Sequence, residues 1–280
     1  MGGITRRGLL VAGMSGAACA GTGLGRAAAG LADAPHDPAA RLDDMIRIMG
    51  RTDGGVAVRW TRGVLSGIVE QRTTQLLGVS QQIFTRHRRT ADGGFDAAYL
   101  ELVYFTDLAS GEVEDRWRNP YTGRHVALPA QVLGPTRLRI PPSLTVINQP
   151  FALPGVENKH WLEPFEFAGD DVSFNERIDS YVPAMSEAGA PLVFHEVFSF
   201  HASRKALSDR ASSYVPATVH KVNVISWRNW MDMKGVNGVT MSHASGRIVR
   251  SLADIPADLA EKNGRYFASV VENLDENLAL

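Results

Sequence analysis

The chain has 280 residues, of which 44% are apolar and 21% charged, and its 29 Lys and Arg nearly balance its 30 Asp and Glu. This composition is typical of a globular protein and excludes a disordered chain, a collagen-like repeat and a strongly basic nucleic-acid-binding protein. Because the single cysteine is Cys19, residues 35–280 cannot supply a disulfide framework, a Cys-ligated zinc site or a thiol nucleophile.

The first 34 residues have the layout of an export signal. Arg6 and Arg7 precede an uncharged, Gly- and Ala-rich stretch over residues 8–25, and small residues follow it. Paired arginines followed by leucines resemble a twin-arginine signal, and the weak hydrophobicity fits that route. The sequence therefore predicts a signal over residues 1–34, cleaved between residues 29 and 34. The twin-arginine machinery would then deliver residues 35–280 to the periplasm as a single domain.

Two alternatives remain for this leader. The apolar stretch is nearly long enough to span a membrane, but its Gly, Ala and Ser residues favour insertion only weakly. A lipid anchor on Cys19 is the second alternative, although the residues before it are a poor match to a lipidation site.

One helix is predicted at the start of the exported part, over residues 38–50. Leu42, Met45, Ile46 and Met49 recur at helical spacing, and Gly50 provides a stop.

After this helix, apolar and polar residues alternate with a period of two, and Gly-containing turns separate the alternating segments. It predicts strands over residues 56–60, 64–71, 75–90, 95–107, 113–118, 125–128, 136–140, 144–147, 172–178, 191–201 and 218–230. Short helices are predicted over residues 203–212 and 256–262, the second with Asp254 as a possible cap and Gly264 beyond its end.

Many strands and few helices indicate a mostly β protein. We expect a single antiparallel β-barrel of the calycin or lipocalin type with a few peripheral helices, a fold that encloses room for one small ligand. The sequence has no dinucleotide-binding glycine motif, P-loop or nucleophile elbow, which argues against a nucleotide cofactor and against an α/β-hydrolase.

Two segments carry a family resemblance. Residues 117–126 read WRNPYTGRHV and residues 226–233 read SWRNWMDM. With the leader and the Asp-Ile-Pro at residues 254–256, they resemble the DUF1838 family of exported bacterial proteins, over most of residues 40–265. The family's function is unknown, so the resemblance implies an architecture and a compartment but no reaction.

Glu196 is the leading candidate for acid/base chemistry. In the predicted strand it shares a face with apolar residues such as Phe194 and Phe198, and burial of a carboxyl disfavours its ionised form, which suits a general acid or base. A carboxylate held by an arginine such as Arg228, without catalysis, is the alternative. His195 is the second candidate, on the opposite face.

Residues 195–196 begin like a His-Glu zinc motif, but the next histidine, His201, is six residues further on and cannot share an ion with His195. A metal would need histidines from different strands, such as His195 with His220 or His160. The prediction is that no cofactor is bound, with such a cross-strand metal site as the alternative.

Residues 160–167 supply secondary candidates. Trp161 shares parity with Glu163 and two phenylalanines if the segment is extended. The aromatic residues could then wall a pocket in which His160 or Glu163 acts as an acid or base. A loop packed across the barrel mouth is the alternative.

The motif segments supply candidates for substrate binding. The turn at residues 119–123 is either a hairpin with Trp117 in the core or a loop that faces a ligand. Arg228 could orient a polar group of the ligand, and the neighbouring tryptophans either line the pocket or pack in the core. The predicted substrate-binding residues are Trp117, Asn119, Tyr121, Trp161, Trp227, Arg228 and Trp230.

The leading functional hypothesis is an exported enzyme without a nucleotide cofactor that acts on a small apolar or aromatic molecule by acid/base chemistry, as a lyase, isomerase or hydrolase. The alternative is a periplasmic binding or carrier protein for a hydrophobic ligand. Glu196, His160 and Arg228 converging in one cavity would favour the enzyme, and an apolar cavity without them the carrier. A filled barrel would indicate a structural protein. The oligomeric state is left open.

Overall fold

The computed structural model describes residues 37–148, 155–183 and 191–280. The predicted export signal over residues 1–34 lies outside them. Within these described ranges, no helix has both the length and the apolar character needed to cross a membrane.

Helix α1 (Pro38–Met49) precedes the sheet and is buried against the inside of the barrel. The Asp37 side chain accepts a hydrogen bond from the backbone N–H of Ala39 at 3.1 Å, and Gly50 ends the helix, so the predicted helix is confirmed. Its apolar face, which includes Met45, belongs to the same core cluster as the inward-facing Phe200.

Thirteen strands follow in the described part of the chain. They are β1 (Ala57–Val69), β2 (Arg72–Arg89), β3 (Phe95–Thr106), β4 (Arg116–Arg118), β5 (His125–Ala127), β6 (Gln131–Ile140), β7 (Ile147–Asn148), β8 (Glu157–Leu162), β9 (Glu166–Ala168), β10 (Asp171–Val182), β11 (Leu192–Ser203), β12 (Ala217–Ser226) and β13 (Val239–Val249). The short helices are α2 (Arg204–Ser208), α3 (Ala257–Tyr266), α4 (Ala268–Glu272) and α5 (Leu274–Asn277).

The main sheet is antiparallel and runs in the order β7-β6-β3-β2-β1-β13-β12-β11-β10-β8, with β9 beside β10 and with β4 and β5 as a separate hairpin. The two ends of this order meet, because the backbone of residues 144–146 bonds to β8. The N–H of Val146 donates to the carbonyl of His160 at 2.8 Å, and the N–H of Leu162 donates to that of Leu144 at 2.9 Å. The result is a nearly closed ten-stranded barrel, which confirms the predicted mostly β, antiparallel barrel with a few short helices.

The wall formed by β1, β2 and β3 is covered by side chains on its inner face and by helices on its outer face. On the outside, Val58, Phe84 and Leu100 from β1, β2 and β3 pack against the C-terminal helices through Leu259 and Leu274. A third apolar cluster, which includes Leu65, Phe105 and Met231, is covered by aromatic side chains from the β4–β5 hairpin and from the segment after β12.

Several predicted boundaries are wrong for local reasons. The two strands predicted over residues 56–60 and 64–71 are one continuous strand, β1, which ends at Val69 before a turn at residues 70–71. The strand predicted over residues 218–230 ends at Ser226, because Asn229–Met231 form a 3-10 turn and Asp232 has a φ of 52°.

The predicted helix boundaries differ as well. The helix predicted over residues 203–212 has five residues, α2. Helix α3 begins after Pro256 without an Asp254 cap and continues through Gly264 to Tyr266.

Candidate functional site

A cavity of about 160 Å³ lies inside the barrel, beside the seam between β6 and β8. Its walls combine apolar and aromatic side chains with an arginine, a histidine and three carboxyl groups. The lining residues are Arg59, Ile83, Tyr99, Glu101, Leu133, Thr136, Leu138, Asn148, His160, Glu176, Ile178, Glu196 and Phe198.

Glu176 links a cation and an imidazole in the cavity wall. Its Oε2 accepts a hydrogen bond from Arg59 Nη1 at 2.8 Å, and its Oε1 lies 2.9 Å from His160 Nε2. Burial would raise the pKa of Glu176, but Arg59 and His160 outweigh burial and lower that pKa to about 2. Glu176 is therefore ionised over the whole physiological pH range.

The charge on Glu176 also sets the tautomer of His160. An ionised carboxylate can only accept hydrogen bonds, so Nε2 of His160 carries the proton that points to Glu176. In the neutral ring the lone pair then resides on Nδ1, which makes no hydrogen bond to any described residue. A histidine oriented in this way by a carboxylate can act as a general base.

A second polar chain connects Glu196 to Glu101 across the barrel interior. Lys221 Nζ lies 2.7 Å from Glu196 Oε2 and donates to Gln81 Oε1 at 2.8 Å. Gln81 Nε2 in turn donates to Glu101 Oε1 at 2.6 Å, and Asn223 Nδ2 donates to Glu196 at 3.3 Å. Lys221 thus occupies the position that the sequence suggested for Arg228, as the ion-pair partner of Glu196.

Glu101 differs from the other two carboxyl groups of the cavity. Burial is the main reason that the pKa of Glu101 is raised. The nearby charge of Glu196 adds to this effect, whereas Lys221, the hydrogen bond from Gln81 and Arg228 oppose it. The cavity lining therefore contains one carboxyl whose pKa is raised by burial and another that is held ionised.

Arg228 lies at the edge of this cluster and does not line the cavity. Its guanidinium carbon is 5.7 Å from the centroid of the Phe105 ring, and its Nε is buried without a hydrogen bond to any described residue. Burial lowers the pKa of Arg228, and the charges of Glu101 and Glu196 oppose that shift. Arg228 therefore adds positive charge to the carboxyl cluster from outside the cavity.

Three predicted site residues lie away from the cavity. His195 is on the outer face of β11, where its Nδ1 is 2.9 Å from Asp179 Oδ1, and its side chain is 58% exposed. Glu163 pairs with Arg177 and accepts a hydrogen bond from Asn175. Trp161 follows the inward-facing His160 on β8, so strand alternation turns it to the other face.

Four of the five remaining predicted binding residues are aromatic and form what we call the aromatic cap: Trp117, Tyr121, Trp227 and Trp230. Trp230 lies 4.9 Å from Phe105 and 6.3 Å from Trp117 between ring centroids, and Tyr121 lies 5.7 Å from Trp227. None of the four lines the described cavity. Their contacts match the core-packing alternative rather than the pocket-lining one.

Asn119 is fully buried and holds the turn that carries Tyr121. Its Oδ1 accepts hydrogen bonds from the backbone N–H groups of Tyr121 and Thr122 at 2.8 and 3.4 Å, and its Nδ2 donates to the carbonyl of Met231 at 2.6 Å. These hydrogen bonds attach the hairpin to the segment after β12.

The histidines suggested for a shared metal do not converge. His160 faces the barrel interior, while His195 lies outside and His220 is exposed beside Ser245. Within residues 37–148, 155–183 and 191–280, no group of three or more His, Cys, Asp or Glu side chains is arranged to hold a metal ion.

Sequence reasoning missed Arg59, Glu101, Glu176 and Lys221. The signal that identified Glu196 was present for two of them, since Glu101 and Glu176 are also single acids on a largely apolar strand face. Arg59 and Lys221 are single cations on inward-facing strand positions, which a search restricted to acids and histidines overlooks.

Comparison with known proteins adds no further constraint on this site. No family model matches the chain, no curated protein does, and no solved structure does either. The resemblance to the DUF1838 family therefore stays a prediction from the two motif segments.

Proposed function

We propose that the barrel interior is the active site of an enzyme that acts on a small molecule by acid/base chemistry without a nucleotide cofactor. The observation that carries this proposal is that Glu101 and the Glu176–His160 pair line one cavity although their environments push the two carboxyl pKa values in opposite directions. Titratable groups separated in this way are typical of an acid and a base that work together.

The geometry suggests a role for each group. His160, oriented by Glu176, accepts a proton from the substrate at Nδ1, and Glu101 donates a proton to another substrate atom. The Glu196–Lys221 pair influences Glu101 through Gln81 and through its charges. Removal of one proton and delivery of another is the net requirement of an isomerase or lyase, and a hydrolase uses the same pair on water and a leaving group.

The cavity constrains the substrate class. At about 160 Å³ it is smaller than the roughly 300–1,000 Å³ typical of drug-sized ligands. Tyr99, Phe198 and Ile83 offer surface to an apolar or aromatic body, while the charged groups require a polar end. A carrier for a purely hydrophobic ligand fits these walls less well, because such a ligand would desolvate the charges without replacing their hydrogen bonds.

The compartment is part of the proposal. The leader over residues 1–34 and the two motif segments support an exported protein of the DUF1838 type that works in the periplasm. Periplasmic preparations are therefore the appropriate source of its ligand.

The test begins with native mass spectrometry of the protein purified from its own periplasm, which identifies a bound small molecule and the subunit number. Turnover of that molecule is then measured for Glu101→Gln and His160→Gln, which keep size and hydrogen bonding but not proton transfer. Each is expected to lower kcat by about 100-fold or more. Glu157→Gln and His243→Gln, at exposed positions of β8 and β13, are the matched controls and should leave kcat unchanged.

Two results would contradict the proposal. One is recovery of the molecule unchanged after incubation with the wild-type protein, which would indicate a carrier. The other is a kcat in both cavity variants equal to that of the controls, which would place the chemistry elsewhere.

A further inference from the structure

Arg59 is a buried cation in the cavity wall, and its neighbours fix the orientation of its planar guanidinium group. The residue is 2% exposed. Its guanidinium carbon lies 4.4 Å from the ring centroid of Phe198 and 4.7 Å from that of Phe200. Nη1 donates to Glu176 at 2.8 Å. The phenylalanine contacts and this hydrogen bond leave one edge of the group for a further partner.

The remaining edge consists of Nε and Nη2, and both nitrogens are buried without a hydrogen bond to any described residue. These two N–H groups point in parallel, and their spacing matches the two oxygens of a carboxylate. Buried donors without acceptors cost free energy, so a side chain that keeps two of them in a cavity wall is a candidate ligand contact.

The charge pattern around the cavity favours an anion. Arg59 is paired with Glu176 and Lys221 with Glu196, whereas Arg228 makes no ion pair with a described residue. The only other carboxyl group in the cavity lining is that of Glu101, whose raised pKa favours its neutral form. When Glu101 is in its acid form, the positive charge of Arg228 has no ionised partner among these residues, and a singly charged anion would balance it.

We infer that the substrate carries a carboxylate and that Arg59 binds this group through its Nε–Nη2 edge. The inference rests on the proposed function, because it names the substrate class of the same site. The apolar part of the substrate would lie against Ile83, Leu133 and Leu138, which line the same cavity. Arg59 is then the residue that distinguishes an acid from its neutral analogue.

The test measures binding alone and needs no turnover. Acetate, propanoate, butanoate and benzoate are titrated into the protein by calorimetry, each against its primary amide, with inorganic phosphate as a further anion. We expect at least one acid to bind about 10-fold more tightly than its amide, and Arg59→Lys to weaken its binding by about 10-fold or more. Lysine keeps the charge but cannot offer two parallel donors.

The matched control is Arg62→Lys, three residues further along β1. The Arg62 side chain is 41% exposed and pairs with Asp258, so its replacement should leave acid binding unchanged. If Arg59→Lys fails to fold, the double variant Arg59→Gln with Glu176→Gln removes both charges of the pair and should show the same loss of acid binding.

Four results would overturn the inference: no acid binds, the amides bind as tightly as the acids, phosphate binds more tightly than every acid, or the Arg59 variants keep the wild-type affinity. These outcomes differ from failure of the proposed function. The two proposals can fail separately. If acid binding depends on Arg59 but kcat is unchanged in Glu101→Gln and His160→Gln, the acid/base roles are refuted and the carboxylate site is supported.

Discussion

At the scale of single residues, the barrel interior shows how neighbours decide the chemistry of one residue type. Glu176, Glu101 and Glu196 all face the same cavity. The first is held ionised by Arg59 and His160, the second has a raised pKa because of burial, and the third is paired with Lys221. Their roles follow from these contacts and not from the glutamate side chain itself.

The Arg59–Glu176 pair gives a stability prediction. Glu176→Gln leaves the Arg59 charge buried without its counter-ion, so we expect a loss of about 3 kcal/mol in the free energy of unfolding. The control is Glu163→Gln, which breaks the partly exposed pair with Arg177 and should cost less than about 1 kcal/mol. Urea unfolding at neutral pH measures both, and equal losses in the two variants would refute this account of the buried pair.

Strand alternation identified only part of the site. It placed Glu196 on an apolar strand face, because an acid between apolar neighbours stands out in a sequence, whereas His160 was named only as a polar group beside an aromatic segment. Side-chain pairs between different strands leave no such pattern in the sequence, because the two partners lie far apart along the chain. That Lys221, rather than Arg228, holds Glu196 depends on the pairing of β11 with β12, and that Glu176 orients His160 depends on the pairing of β8 with β10.

At the scale of elements, register assembles the charged cluster. Lys221 of β12 lies directly opposite Phe198 of β11, and Phe198 lies opposite Glu176 of β10. All three therefore share the inner face of neighbouring strands. A shift of β11 by one residue would turn Glu196 and Phe198 outward and bring His195 inside, so the site depends on one pairing register.

Helix α3 is attached to the barrel by a buried amide pair. Asn263 and Gln82 exchange hydrogen bonds of 2.7 and 3.0 Å, and the hydroxyl of Tyr104 donates to Asn263 Oδ1 at 2.8 Å. Asn263→Ala leaves both partners without their bonds, and we expect it to lower the free energy of unfolding by about 2–3 kcal/mol.

Asn273→Ala is the matched control for this contact. Asn273 donates to the carbonyl of Ser269 in an exposed hydrogen bond, so its loss should cost less than about 1 kcal/mol. Denaturant unfolding compares the two variants. A loss in Asn263→Ala no larger than in the control would show that the amide pair does not hold α3 to the barrel.

Elements with strong local signals were the ones that the sequence predicted well. Helix α1 has helical spacing of apolar residues, a capping Asp37 and a terminal Gly50, all of which act locally. The end of β12 was predicted too late, because the 3-10 turn at Asn229–Met231 is associated with tertiary contacts of Met231 and Trp230 that local periodicity does not register.

At the scale of the whole molecule, alternation predicted a barrel but could not say which strand face is inside. On β1 the apolar Val58 lies on the outer face, under the C-terminal helices, and the charged Arg59 lies inside. Assembly of the sheet depends on contacts between residues distant in sequence, such as the pairing of Val58 with Val249. The sequence therefore predicted the fold class, while the polar interior emerged only from the assembled barrel.

The proposed acid/base function requires that the pKa of Glu101 is raised by burial while Glu176, in the same cavity lining, is held ionised by Arg59 and His160. Carbon-detected NMR of protein labelled at the glutamate carboxyl carbons measures both during a pH titration, with Glu101→Gln and Glu176→Gln used to assign the signals. We expect Glu101 to titrate above its ordinary pKa of 4.5 and Glu176 to titrate near 2. If Glu101 titrates at or below 4.5, the cavity lacks the proposed proton donor and the acid/base function is refuted.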